Sequence, residues 1–378
     1  MKFVVAPDKY KGSLTGFQFC EAVENGLKMV FAKSEIIKKP LADGGDGTLE
    51  VVKEYLDANK ETIKVKDPLF REIEASYLLS KHKGIAYIEM SEASGYKLLD
   101  KSELNCMDTT TVGTGEMIAD ALKKGAKEIV LGIGGSATND AGMGMASALG
   151  YVFKDKDGNT LNPIGRNLEK VFRIDGSEAL PKLKTAKIKV ACDVNNPLYG
   201  KNGAAYVYGP QKGASTKEVE LLDTGLRNFA EVIREFSDMD MQSISGAGAA
   251  GGMGAGAVVF LDAELTSGVD LIMEMAQFQE ALQDADWIIT GEGQLDGQTL
   301  SGKTINGVLK MAKQRNIPVA ALCGSVDISV QEMQRLGLSY AVSILNQIGS
   351  LEQAKAKSFQ NLEQASFNFA QLLKKCQA

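Results

Sequence analysis

Residues 129–145 read IVLGIGGSATNDAGMGM, which sets an apolar strand, a glycine turn and a run of small polar residues in immediate succession. Glycines 132, 134 and 135 leave backbone N–H groups uncovered, and Ser136 and Thr138 add hydroxyl donors. The helix expected after Asp140 would direct the positive end of its dipole at the turn. Strand, glycine turn and helix start together make an anion site, and the expected guest is a phosphate.

Outward from that stretch, both chain ends carry the grammar of a parallel α/β sheet. KFVVAP reads as a buried strand, and residues 15–31 as a helix opened by a capping box of Thr15 and Gln18. EIIKKPLA gives a second strand and residues 48–56 a second helix. Near the other end come strand WIIT at 287, a helix over 304–314, strand VAALCG at 318, a helix near 330, strand AVSIL at 341 and a long terminal helix. Between the ends, TIKVKD, IEASYLLS and GIAYIEM behave as a meander of short strands, followed by a helix over 115–124, a strand over 128–133 and strand KIKVAC at 187. The economical reading is an α/β chain of two domains. One is discontinuous, from 1–68 plus 285–378, and the other is inserted, from 69–284.

With 378 residues, 44% of them hydrophobic and 24% charged, the chain is long enough for two cores. Its 40 glycines exceed the roughly 7% usual share and gather in turns. A net charge of −6 and the absence of a basic tract argue against nucleic acid as a partner. No run approaches a membrane span and no signal peptide is evident, so a cytoplasmic location is expected; oligomeric state is not legible. Five scattered cysteines form no CxxC pair, and the single histidine, His82, lies in KHKG, a hairpin turn. Triad hydrolysis and histidine- or cysteine-ligated zinc therefore lack their parts, and the expected metal is a hard ion held by carboxylates and phosphate oxygens, magnesium fitting best.

Three fragments match nucleotide motifs. GQTLSGKT, residues 297–304, satisfies GxxxxGK[ST], but six residues separate its first glycine from the preceding strand, where a true phosphate loop follows directly. Lys303 remains a candidate phosphate contact from a helix start. GAGAAG at 246–251, with Gly248 and Gly251, matches GxGxxG, and GIGGSA at 132–137 matches its variant. Yet Asp157, at the ribose-acid distance from that variant, sits in the turn KDKDG rather than at the end of a buried strand.

Carboxylates recur where strands end: Asp8 after the first, Asp43 and Asp46 in LADGGDGT after the second, Asp193 after KVAC, and Glu292 and Asp296 after WIIT. Ligands of open α/β sheets bind outside the carboxyl ends of the strands. One such acid is commonly a turn former or helix cap, but the set together points to magnesium ligands and a catalytic base. Lys11, in DKYKGS, could neutralise an anionic substrate or a transferring phosphoryl group. Lys201 and Lys212, in glycine turns of NPLYGKNGAAYVYGPQKGA, belong either to a surface loop or to a phosphate-facing one. Phosphoryl transfer needs a metal, donors for the equatorial oxygens, a base and positioning, and the chain offers a candidate for each.

These residues also resemble a family, the type 1 glycerate kinases. APDKYKGSL is similar to its opening motif, PLADGGDGT to its second, and TTTVGTGE with GIGGSATNDAGMGMASALG to its longest; ACDVNNPLYG, GPQKGA, GAGAAGGMG and GEGQLDGQTLSGKT follow in the family's order. The resemblance implies transfer of the γ-phosphoryl group of ATP to D-glycerate with magnesium, giving 2-phosphoglycerate. It also implies a Rossmann-like discontinuous domain and a flavodoxin-like inserted one, with the active site in a cleft between them. Lys9 stands where the family usually has serine, Gly12 where glutamate is frequent, Asp46 where glutamate is usual and Gly297 where serine is common.

Asp193 is accordingly expected as the base and Lys11 as its catalytic companion, with Asp8, Asp43 and Asp296 as rival bases. Asp8, Ser13, Asp43, Gly44, Gly45 and Asp46 are expected at the acceptor. Gly134, Gly135, Ser136, Thr138, Asn139, Asp140, Gly248, Gly251 and Lys303 are expected at the phosphates, and Glu292 and Asp296 at the metal. Two other readings compete: a phosphatase of a phosphorylated small acid, which would release phosphate without ATP, and a sensor that binds nucleotide or sugar acid without chemistry.

Overall fold

The computed structural model describes residues 1–10, 12–42, 48–296 and 303–376, with Lys303 described by its backbone alone. In chain order the strands are β1 (Lys2–Val5), β2 (Glu35–Lys38), β3 (Asn59–Lys66), β4 (Glu72–Ser80), β5 (Ile85–Glu89), β6 (Glu128–Gly132), β7 (Val152–Lys154), β8 (Arg173–Asp175), β9 (Lys187–Ala191), β10 (Glu264–Thr266), β11 (Trp287–Thr290), β12 (Gln294–Leu295), β13 (Val319–Cys323), β14 (Ser325–Val326) and β15 (Tyr340–Ser343). The architecture is mixed α/β, as the strand and helix patterning predicts, and no helix among the described residues is long and apolar enough to cross a membrane.

The chain divides into two compact units, Met1–Tyr55 with Val269–Ala378, and Leu56–Gly268. The expected borders at 68/69 and 284/285 differ from these; β3 pairs along its length with β4 and so belongs with the inserted meander that a border at 68 would cut.

In the first unit, five strands run parallel in the order β2-β1-β11-β13-β15. Counted along the chain within this sheet, that is the order 2-1-3-4-5, the flavodoxin-like arrangement rather than the Rossmann one. The discontinuous unit thus has the flavodoxin-like strand order in place of the Rossmann-like one that the family resemblance implies. Parallel strands are covered on both faces, and Phe3, Val4, Val5, Ile288 and Ile289 are accordingly fully buried. The helix Gly16–Lys28 starts on the predicted capping box, Thr15 accepting from the Gln18 N–H while Gln18 accepts from the Thr15 N–H. It lies so close to the terminal helix Ser358–Cys376 that a Cβ on Gly26 would stand 2.3 Å from the Glu363 carbonyl oxygen.

The second unit holds a six-stranded sheet in the order β10-β9-β6-β5-β4-β3. β3, β4 and β5 form the predicted antiparallel meander, and β5, β6, β9 and β10 run parallel. His82 falls in the turn between β4 and β5, where its Nδ1 lies 3.2 Å from the Ser80 hydroxyl. Asp157 likewise lies in an exposed turn, its N–H donating to Asp155, so it closes no buried strand. Two of the longer helical segments escape the sequence reading, Thr216–Ser237 and Ala249–Leu261, the latter kinked by positive φ at Ala250, Gly251 and Gly252. The second is rich in glycine, which is poor in helix propensity, and is buried on most sides, so no amphipathic stripe announces it.

Replacing Gly26 by alanine should lower stability by about 1–3 kcal/mol through overpacking of the two helices; a denaturant midpoint equal to that of the parent protein would refute this packing account.

Candidate functional site

In the flavodoxin-like unit the strand order reverses between β1 and β11, and the crevice beyond their carboxyl ends is where such sheets bind ligands. A cavity of about 500 Å³ lies there, walled by Asp8, Lys9, Ser13, Glu292, Gln294 and Lys355 among others. Asp8, Lys9, Tyr10 and Ser13 also line a neighbouring pocket of about 290 Å³. The wall is firmly set. The Asp8 N–H donates to the Gly291 carbonyl at 2.9 Å, its Oδ1 accepts from the Lys9 N–H at 2.7 Å, and its Oδ2 accepts from the Thr304 hydroxyl at 2.8 Å. Buried Tyr10 donates to the Leu322 carbonyl at 2.6 Å, and Ser13 is hydrogen-bonded to Ser358 at 2.6 Å.

This geometry brings together three predicted residues, Asp8, Ser13 and Glu292. It also explains the terminal threonine of GQTLSGKT: Thr304 is a partner of Asp8. The interval before that motif holds β12, paired with β14, so strand β11 does not lead directly into the helix Lys303–Arg315 as a phosphate loop would require. Asp296 follows β12 and is not part of the cavity wall. Among the described residues no three His, Cys, Asp or Glu side chains converge as a metal cage. Lys11, Asp43, Gly44, Gly45 and Asp46 lie outside the described residues, as does the side chain of Lys303.

In the Leu56–Gly268 unit the turn after β6 has the predicted form. Gly134 and Gly135 are exposed, Gly135 has φ +70°, and nothing stands within 4 Å of the Cβ position of Gly134. The polar residues that follow are sunk into the protein: Ser136 is 7% exposed, Thr138 and Asn139 0% and Asp140 1%. Asp140 accepts from the Thr111 N–H and hydroxyl, both at 2.8 Å, and from the N–H groups of Gly142 and Gly144 at 3.2 and 3.1 Å. It ties the start of the helix Val112–Lys123 to the start of Met143–Ala148, and burial raises its pKa above the usual carboxylate value. That is the work of a structural carboxylate. Gly248 and Gly251 are likewise occupied by the chain itself, since their Cβ atoms would stand 2.2 Å from the Pro197 carbonyl and 2.0 Å from that of Thr138.

Asp193 follows β9, with its Oδ1 accepting from the Gly268 N–H at 3.0 Å. Sequence reasoning missed Glu89, the acid that ends β5: it accepts from the Tyr87 hydroxyl, burial raises its pKa, and a Cβ on Gly132 would stand 2.3 Å from its Oε2. The signal was available, since Glu89 closes IAYIE as Asp193 closes KVAC. The two lysines of the glycine turns part company: Lys201 is exposed, whereas Lys212 is 3% exposed, with its Nζ 2.7 Å from both the Ser136 Oγ and the Thr138 carbonyl oxygen.

Comparison with known proteins supplies what geometry leaves open. The model of the glycerate kinase family matches residues 3–374. The chain is 44% identical to a glycerate kinase of Halalkalibacterium halodurans, over 97% of each chain. It is 41% identical to the glycerate 2-kinase of Escherichia coli, over 99% of this chain and 98% of the other. The crystal structure of a candidate glycerate kinase 2 from Salmonella typhimurium LT2 superposes with a TM-score of 0.89 at 40% identity, covering 100% of this chain and 99% of that one. The chain belongs to the glycerate kinase family and is a kinase, a transferase enzyme.

Proposed function

We propose that this chain transfers the γ-phosphoryl group of ATP to the 2-hydroxyl of D-glycerate, with Mg²⁺, forming 2-phospho-D-glycerate. The observation that carries the reading is the end-to-end likeness to proteins named glycerate kinase, and the choice of product leans on the relative named glycerate 2-kinase. The chemistry of the described side chains agrees with it. The acids on the switch-point cavity, Asp8 and Glu292, are hard oxygen donors, and among the described residues no thiol or imidazole stands on its wall. Magnesium in phosphotransferases is held by one or two carboxylates together with substrate phosphates, so two such donors fit it without a complete protein cage. Asp8 and Glu292, with Asp296 as a further candidate, would hold the ion, whose positive charge would offset the negative charge that develops in transfer.

The roles of the chain's own groups follow. Asp193, oriented by the Gly268 N–H, takes the proton of the accepting hydroxyl. Lys11 opposes the negative charge of glycerate or of the group in flight. Asp8 and Ser13, with the acidic and glycine residues 43–46, orient the acceptor. The N–H groups of the exposed Gly134 and Gly135 and the hydroxyls of Ser136 and Thr138 donate to phosphate oxygens, while Asn139 and Asp140 shape the turn that carries them.

In a coupled assay, D-glycerate and ATP should yield ADP, and phosphorus NMR should show a phosphoryl group on carbon 2 of the acid; phosphate released without ATP would favour a phosphatase, and binding without ADP a sensor. Chelation with EDTA should abolish turnover and added Mg²⁺ should restore it; full activity in EDTA would exclude the metal's role. Asp193→Asn should lower kcat about 10²- to 10⁴-fold with the unfolding midpoint kept, and near-parental turnover in that variant would remove Asp193 as the base.

A further inference from the structure

Lys212 is a buried cation outside any salt bridge of the described residues. Its ammonium donates to the Ser136 Oγ and to the Thr138 carbonyl, each at 2.7 Å, and among the described residues it forms no ion pair. Two titratable groups face it, the Cys106 thiol and the Asp140 carboxylate. The thiol is pushed up to about 11 by burial, and the carboxylate spends its lone pairs on Thr111, Gly142 and Gly144. The lysine is also locked in place. Its N–H donates to the Gly209 carbonyl at 3.0 Å, its carbonyl accepts from the Cys106 N–H at 3.1 Å, and Gly213, at φ +90°, leaves no room for a Cβ, which would stand 1.9 Å from the Leu104 carbonyl. Beside it, the Thr138 hydroxyl and both polar atoms of the Asn139 side chain are buried with no hydrogen-bond partner among the described residues. A buried unpaired charge and three unsatisfied polar atoms are each costly to keep, and a fold retains such a cluster where a ligand completes it.

The hydrogen-bond directions say which ligand. A hydroxyl oxygen that accepts from an ammonium keeps its own proton for another acceptor, and such chains strengthen one another. No acceptor for the Ser136 hydroxyl exists among the described residues, and it follows directly on the exposed residues Gly134 and Gly135. We propose that Lys212 is the positioning cation of this turn, holding Ser136 and Thr138 from behind so that Ser136 presents its proton to an oxygen of a bound phosphoryl group. The source of that phosphoryl group, nucleotide or phosphorylated acid, rests on the kinase reading above. Lys212 itself touches no substrate; its charge reaches the phosphate through Ser136.

The test uses four full-length proteins: the parent, Ser136→Ala, Lys212→Met and the double variant. Each is titrated calorimetrically with MgATP and, separately, with 2-phosphoglycerate, and then taken through steady-state kinetics with D-glycerate. The ligand whose phosphate rests on the turn should lose about tenfold in affinity in either single variant, with its KM rising more than kcat falls. The double variant should bind no worse than the weaker single one, because the lysine acts through the serine. Burial lowers the Lys212 pKa to about 8, so the parent's affinity should fall as pH rises through 8, and this limb should vanish in Lys212→Met.

Unchanged affinity for both ligands in Ser136→Ala overturns the proposal, as do additive effects in the double variant or a parent that binds neither ligand. If Lys212→Met fails to fold, Ser136→Ala and the parent's alkaline limb decide the matter. A parent that binds MgATP through Ser136 and Lys212 yet makes no ADP with glycerate would defeat the glycerate reading and leave the lysine's role intact. Normal turnover with parental affinities in both single variants would defeat the lysine's role alone.

Discussion

A single buried carboxylate holds the turn after β6 in shape. Asp140 takes its hydrogen bonds from the first turns of two helices, Val112–Lys123 and Met143–Ala148, and from the hydroxyl of Thr111. Helix starts leave N–H groups that must find acceptors, and here one side chain serves both. The residues just before it, Ser136 to Asn139, have no latitude as a result. They are packed from one side by Thr109, whose hydroxyl donates to the Ala137 carbonyl at 3.0 Å, and from the other by Gly251, whose carbonyl accepts from the Ala141 N–H at 3.0 Å. The exposed glycines 134 and 135 are the part of the loop left facing outward.

Constraint in the other unit comes from topology. The reversal of strand order between β1 and β11 opens a crevice that side chains of the sheet cannot fill, and Asp8 and Glu292 stand at its mouth because each follows one of those two strands. Thr304 then fixes one carboxylate oxygen of Asp8. A rigid acid on a rigid strand end is suited to holding a metal or an acceptor, since positioning carries much of phosphoryl transfer.

Much of this was legible in the chain. The glycine turn after β6, the capping box at Thr15, the meander, the two α/β ends and the acids after strands are local patterns, and local patterns follow from periodicity and turn chemistry over a few residues. Long-range packing is not legible in this way. The glycines of the GxGxxG match at 246–251 admit other backbone, with Gly248 against Pro197 and Gly251 against Thr138. The border at 68 divided a meander because strand pairing, here β3 with β4, leaves little trace in the sequence of either strand.

Asp140 and the lysines mark the division most sharply. The sequence by itself determined the class of the protein, mixed α/β with a glycine turn after β6 and acids after its strands, because backbone geometry and side-chain chemistry at those places depend on neighbours along the chain. Only the tertiary structure decided that Asp140 braces the turn, that Lys201 is a surface residue and that Lys212, in the same kind of glycine turn, lies beneath Ser136. Burial and hydrogen-bond partners are properties of contacts between distant segments, and residues 76 positions apart become neighbours only when the chain closes on itself.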